Sequence, residues 1–398
     1  MQTNFFSRIK IKPLQVDVIL LVTVVFLSVV GASLLASSFS TQDINIYYRS
    51  LFSHIGFGNV AGGILAFAFA MLPLQKILEA KKIWLSIVGI PSLILAACVF
   101  LAFATGTTKL GVMNWFGGLP IRPKAANSAF RWITVGFGGS GFDFQPSELF
   151  KVAGVVFVAN RVSEIKNNPT LQKFAKEFVW IAILGILIAM QPETGNVFLG
   201  CLGILAALFA ANVNKKQMFL LVMGLVGIFA ILIFGASFIG QSYRANRIEA
   251  ILTGENSAQI QKFQSAVASG GLFGKGYSNS DYKRGSLYES DTDGIFSIIG
   301  EENGFVGAVG LLLFYLIIAW RGLIIAENSR TNSGRALATG LTVILVFQAF
   351  WIIAAVIGLL PLKGVTLPFV SKGNMAMWVN YIQIGLLLNV SRFPKLKN

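Results

Sequence analysis

The chain has 398 residues, 55% of them hydrophobic and only 12% charged, with a formal net charge of +15. Such a composition excludes an ordinary water-soluble domain, and a basic excess spread over short loops and tails, with no nucleic-acid motif beside it, is not a nucleic-acid footprint. Cys98 and Cys201 both lie inside apolar runs, which argues against a disulfide framework.

Runs of about 20 apolar residues, enough to cross a ~30 Å hydrocarbon layer, recur along the chain. In order they predict ten spans, at 16–39, 51–73, 83–105, 147–163, 177–191, 196–214, 217–240, 294–320, 335–360 and 373–391. The first is longer than a signal-peptide core and lacks a small-residue cleavage site, so it reads as retained. The fourth is short and bears Glu148 and Lys151.

An even number of spans puts both termini on one side. That side collects Arg8, Lys10 and Lys12; Lys76, Lys81 and Lys82; Arg161, Lys166, Lys173 and Lys176; Lys215 and Lys216; Arg321, Arg330 and Arg335; and Arg392, Lys395 and Lys397. These are more than half of the 32 basic residues. By the positive-inside rule this side is the cytoplasm. The expected fold class is an all-α polytopic membrane protein, one transmembrane domain over 1–398, without an appended soluble domain or an internal repeat.

Two long segments then face outward, at about 105–146 and 241–293. Both are rich in Gly, Asn, Ser, aromatics and charge. Their Trp, Phe and Tyr residues favour ordered segments lying at the membrane interface.

The stretch LYESDTDGIFSIIGEENG, from Leu287, concentrates the acidic chemistry. Asp293 falls where the second outer segment meets the eighth span. Thr292 or Asp293 could simply cap that helix, where orphan N–H groups and the dipole favour a carboxylate; position alone also makes Asp293 a functional candidate. Glu301 and Glu302 lie roughly 12 Å deeper at 1.5 Å per residue, and a charge inside a span should meet a cation in a protein interior or watery cavity.

Three further stretches carry charge. In QPSELFKV, Glu148 and Lys151 are spaced i, i+3 on one helix face, so they either neutralise each other or reach a substrate. Arg131, in FRWITVG, would make a bidentate contact to a phosphate-bearing lipid, or anchor among headgroups. In QPETGN, residues 191–196, Glu193 is a solvated turn residue or a ligand for a cation or sugar. The segment FQSAVASGGLFGKG, 263–276, permits close backbone approach through its glycines, and Lys275 could meet a phosphate there; it fits no Walker pattern. His54 stands without metal-like partners and reads as structural.

Together these stretches resemble the SEDS family (shape, elongation, division and sporulation). NSAFRWITVG followed by FQPSELFKV is similar to the family's N-G-A-x-R-W-I and Q-P-S-E-l-x-K. QPETGN resembles Q-P-D-x-G-T, and QSAVASGGLFGKG the segment Q-S-x-x-A-x-x-x-G-x-x-G-x-G. YESDTDGIFSIIGEENGFVG looks like P-E-x-H-T-D-F-I-F followed by G-E-E-x-G-x-x-G, and GLLPLKGVTLPFVSKGNMA like the closing G-l-L-P-x-x-G-x-t-L-P-f-x-S-Y-G-G-S. The match runs in order from the first span to the last, and GLLPLKGVTLPFVS, IIGEE and the NS after GKG sit nearer the division branch than the elongation branch.

The resemblance implies an inverting peptidoglycan glycosyltransferase that polymerises lipid II at the outer face of the bacterial cytoplasmic membrane during cell division. Asp293 would be the general base. Arg131, Glu148, Lys151, Glu193, Gln264, Ser265 and Lys275 match the family's substrate-binding stretches. Positive charge for the departing diphosphate would come from Arg131, Lys151 and Lys275, or from a divalent cation such as Mg or Mn. Glu148 and Lys151 would shape the cavity, and Glu301 and Glu302 would pair within the bundle. Implied partners are lipid II, membrane lipid, a class B penicillin-binding protein transpeptidase and other division proteins.

The sequence departs from the pattern at Glu193 and Asn196 for Asp and Thr, at Tyr288, Asp291 and Gly294 for Pro, His and Phe, and at the KGNM that includes Lys372. An added carboxylate at Asp291 would raise the pKa of Asp293. Two rival readings are a flippase for a lipid-linked precursor, which should bind at the midplane between repeats, and a non-catalytic division scaffold, which would tolerate loss of Asp293.

Overall fold

A computed structural model describes residues 16–39, 44–105, most of 112–136, 141–167, 171–189, 191, 193–212, 218–219, 222–223, 258–284 and 291–394 other than 362–363. Its helices are α1 (Val18–Phe39), α2 (Ile44–Phe52), a π-helical stretch (Ser53–Val60), α3 (Ala61–Met71), α4 (Leu74–Glu79), α5 (Lys81–Ala104), α6 (Pro146–Asn167), α7 (Leu171–Ala189), α8 (Thr194–Ala210), α9 (Ala258–Ser269), α10 (Ile295–Glu327), α11 (Asn332–Val356) and α12 (Asn374–Ser391). Every expected span except 217–240 contains one of these helices. That span lies almost wholly outside the described residues, as do Arg8, Lys10, Lys12, Lys215, Lys216, Lys395, Lys397, Tyr288, Glu289 and the second outer segment before residue 258.

Among the described residues five helical stretches are long and apolar enough to cross a membrane: Val18–Ser38, Ser50–Met71, Lys81–Ala102, Ile295–Glu327 and Asn332–Val356. Helix α12 owes its place to a different rule. It carries Asn380, Gln383 and Asn389 and is buried by its neighbours along nearly its whole length. Buried amides need partners where water is absent. Asn389 donates to the carbonyls of Phe69 at 2.8 Å and Leu72 at 2.6 Å, satisfying groups that the end of α3 leaves open.

The expectation of an all-α protein needs one correction. The first outer segment folds into a three-stranded antiparallel sheet, β1 (Ile121–Ala126), β2 (Ala129–Val135) and β3 (Phe142–Phe144). The β-branched Ile133, Thr134 and Val135 favour extended backbone. Phe130 and Ile133 are buried in a small cluster with Leu95, Cys98 and Ala102 of α5, which seats the sheet on the bundle. Lys124 forms an ion pair with Asp143, and Thr134 donates to the same carboxylate at 2.7 Å.

Helix α10 is broken. Gly304 has φ 66° and ψ −163°, so the helix stops and restarts there. The open backbone groups are taken by the glycine-rich stretch after α9. Lys275 N–H donates to Glu301 O at 2.9 Å and Gly276 N–H to Glu302 O at 3.0 Å. From the other side Phe305 N–H donates to Gly271 O at 2.9 Å and Val306 N–H to Leu272 O at 3.1 Å. A side chain at Gly304 would meet Gly274 N at 2.3 Å, so only glycine fits both the dihedral angles and the approach.

Candidate active site

Four helices begin around one cavity of about 700 Å3, which Ser53, Phe57, Arg131, Glu148, Glu193 and Asp293 line with others. These helices are α6, α8, α10 and α12. Each helix start carries the positive end of its dipole, and those of α8, α10 and α12 have no side-chain cap, which favours an anion there. The sheet closes one side with Arg131, Trp132, Phe142 and Asp143.

Arg131 reaches the cavity because β2 bulges. Lys124 pairs with Trp132 and Ala125 with Phe130, so Arg131 is the extra residue between them. A bulge re-aims the side chain it carries. The guanidinium Nε lies 3.1 Å from Glu193 Oε1. Phe142 stacks on Trp378 at 4.6 Å between ring centroids, and Phe57 of the π-helix stacks on the same indole at 5.7 Å. This aromatic group fixes the sheet against α12 at the cavity rim.

Below Glu193 runs a buried polar chain. The Asn196 amide donates to Glu148 Oε1 at 3.0 Å, to Glu193 Oε2 at 3.3 Å and to Ser147 Oγ at 3.1 Å. Glu148 lies 2.8 Å from Lys151, which donates to Gln348 Oε1 at 2.8 Å. Gln348 in turn donates to Thr366 O at 2.8 Å, in the loop before α12. Glu193 is pushed up to about 7 by burial, against the pull of Arg131, with Glu148 adding to the rise. Lys151 is fully buried and not on the cavity wall, so of this pair Glu148 alone faces the space.

Asp293 sits in the turn before α10 and lines the cavity with Thr292. The loop before α12 holds that turn: Ser371 Oγ donates to Thr292 O at 2.7 Å, and Lys372 N–H to Asp291 O at 2.9 Å. The Lys372 side chain donates to Asp291 Oδ2, also at 2.9 Å.

The third group of expected residues lies elsewhere. Lys275, Gln264 and Ser265 are not among the lining residues. Lys275 donates to Asp281 and Glu301, each at 2.8 Å, and these hydrogen bonds raise its pKa. Gln264 donates to Ile357 O at 2.9 Å and Ser265 back to Gln261 O at 2.9 Å. Glu302 receives Lys283 at 2.9 Å and Ser37 at 2.6 Å, with Lys283 and Glu302 both sealed from solvent. Among the described residues no three His, Cys, Asp or Glu side chains group to hold a metal ion.

A family model described as cell cycle protein, covering FtsW, RodA and SpoVE, matches residues 14–396. This chain belongs to the FtsW/RodA/SpoVE family. A probable peptidoglycan glycosyltransferase FtsW of Geobacter sp. (strain M18) is 36% identical over 277 residues, 67% of this chain and 72% of that one. The peptidoglycan glycosyltransferase MrdB of Escherichia coli (strain K12) is 29% identical over 400 residues, 99% of this chain and 96% of the relative. Among solved structures, a chain described with the structural coordination of polymerization and crosslinking by a peptidoglycan synthase complex aligns with a TM-score of 0.67. It is 22% identical, and the alignment covers 95% of this chain and 98% of that one, a likeness of fold. The FtsW/RodA/SpoVE member described here is a multi-pass membrane protein.

Several buried residues escaped the sequence. Asn196 stood out only as a departure from the family pattern, yet it joins the two carboxylates. Gln348 and Lys283 gave no signal, because their partners are 197 and 19 residues away.

Proposed function

We propose that this chain is a peptidoglycan glycosyltransferase of the bacterial cytoplasmic membrane that polymerises lipid II on the outer face during cell division. What carries the reading is that Asp293 and Arg131 line one cavity onto which four helix starts converge. Those starts supply the positive field a diphosphate leaving group needs. The Asp293 carboxylate takes the proton from the acceptor sugar hydroxyl as its oxygen attacks the anomeric carbon. The bond from that carbon to the diphosphate oxygen breaks on the opposite side, which inverts the centre. Arg131 meets the charge that develops on the diphosphate, in competition with Glu193.

The protein groups fit a divalent cation, Mg or Mn, only as a counter-ion of the substrate's diphosphate, because no three-residue ligand cluster exists among the described residues. Such ions usually keep waters and phosphate oxygens as ligands, and there they neutralise charge. The partners in this reading are lipid II, a class B penicillin-binding protein and other division proteins; the likeness to a chain of a synthase complex supports the transpeptidase.

The test is lipid II polymerisation by purified protein in lipid with its transpeptidase present, wild type against Asp293→Asn. Strands from wild type alone are expected. Strands from both would remove Asp293 as the base, and strands from neither would favour a scaffold.

A further inference from the structure

Two of the positions where the chain departs from the family pattern meet in space beside Asp293. Asp291 and Lys372 are 81 residues apart in sequence, and their side chains pair at 2.9 Å. A main-chain hydrogen bond between the same two residues, also 2.9 Å, docks the loop without help from the side chains. The pair is therefore not needed merely to join the two loops. Lys372 lines the cavity, whereas Asp291 stands behind it and is not among the lining residues. The Lys372 side chain keeps 39% of its surface exposed, against 23% for Asp291.

Three of the carboxylates that line the cavity with Asp293 have cations other than Lys372. Asp143 meets Lys124, Glu148 meets Lys151, and Glu193 meets Arg131. Arg131 and Lys372 are the two cations among the lining residues. The compact, mobile ammonium suits a diphosphate oxygen as a point charge, complementing the planar fork of Arg131.

We infer that Lys372 is a binding residue for the diphosphate of the lipid-linked substrate, held at the cavity wall by Asp291, its positioning residue. This inference rests on the function proposed above for the same cavity. It gives this chain a second cation for the leaving group where the family pattern has a tyrosine. In consequence Asp293 shares its cavity with a lysine ammonium.

The test is titration of undecaprenyl diphosphate into the full-length protein in nanodiscs, read by intrinsic tryptophan fluorescence, alongside lipid II polymerisation. The expected result is that Lys372→Met weakens binding about ten-fold or more, the usual effect of losing a charge-assisted hydrogen bond. Lys372→Arg should keep most of the affinity. The exchange variant Asp291→Lys with Lys372→Asp restores the pair's attraction but moves the cation off the cavity wall, so it should bind as weakly as Lys372→Met while melting like wild type. Recovery of binding in the exchanged protein would overturn the inference and leave the pair a structural clasp. Unchanged binding by Lys372→Met, in protein that makes glycan strands, would overturn it alone. Lysine-dependent binding by a wild type that makes no strands would instead remove the transferase reading and leave the diphosphate site standing.

Discussion

The Arg131 guanidinium lies 3.1 Å from the Glu193 carboxylate, an ion pair that ties the bulge of β2 to the start of α8. Burial pushes Glu193 up to about 7, so this pair titrates near neutrality. A carboxyl group whose folded pKa is raised contributes stability that is complete below its unfolded pKa of about 4.3 and lost as pH rises through about 7. Wild type should therefore lose about 3–4 kcal/mol between about pH 4 and 8.5 relative to Glu193→Gln. Thermal unfolding of detergent-solubilised protein at several pH values checks it; parallel pH profiles would count against it.

Arg131 offers a planar fork that lysine cannot reproduce. Arg131→Lys is expected to lower kcat/KM for lipid II about ten-fold, mainly through kcat, because one hydrogen bond to the charge that develops on the diphosphate is lost. Steady-state polymerisation over a range of lipid II concentrations measures the split.

Lys151 is sealed between Glu148 and Gln348. Lys151→Met alone leaves a buried carboxylate without its cation and should cost about 3–5 kcal/mol. Lys151→Met with Glu148→Gln should recover most of that cost, since both charges are then gone. The thermal midpoints of the two variants decide it, and equal midpoints would contradict the pairing.

Glycines of one helix should respond in opposite ways. Gly304 has φ 66°, and a methyl group there would meet Leu272 O at 2.6 Å as well as Gly274 N. Gly304→Ala is expected to destabilise by about 3 kcal/mol or more. Gly310, with nothing within 4 Å of its missing Cβ, should tolerate alanine and gain up to about 1 kcal/mol. Size-exclusion profiles after graded heating would separate the two.

The long apolar helices were legible because a bilayer demands such runs, and the acidic residues inside them because charge there demands a partner. Glu301 and Glu302 were expected to pair within the bundle, and Lys275 and Lys283 hold them. The sheet was not legible: its strands are short, and an outer segment rich in Gly and aromatics suggested chain lying at the interface. In the glycine-rich stretch, close backbone approach was the right physical cue, but the backbone that Gly271, Leu272, Lys275 and Gly276 meet is that of α10. Asn196 and Gln348 could not be found from spacing, since their roles exist only once α6, α8 and α11 are packed together.

The break in α10 has a mechanical consequence. The turn bearing Asp293 is followed by a short helical stub, Ile295 to Asn303, which is bolted to the stretch after α9 rather than being the stiff upper end of a membrane-length rod. The stub and the membrane-crossing half, from Phe305 to Glu327, meet at a joint. The stretch after α9 also holds Phe305 and Val306, the first residues of the long half, so tilting of that half in thicker or thinner bilayers is expected to load the Gly304 break and this stretch rather than the turn bearing Asp293. Polymerisation should accordingly vary little across lipids of increasing acyl-chain length; a steep dependence would show that the joint transmits bilayer strain to Asp293.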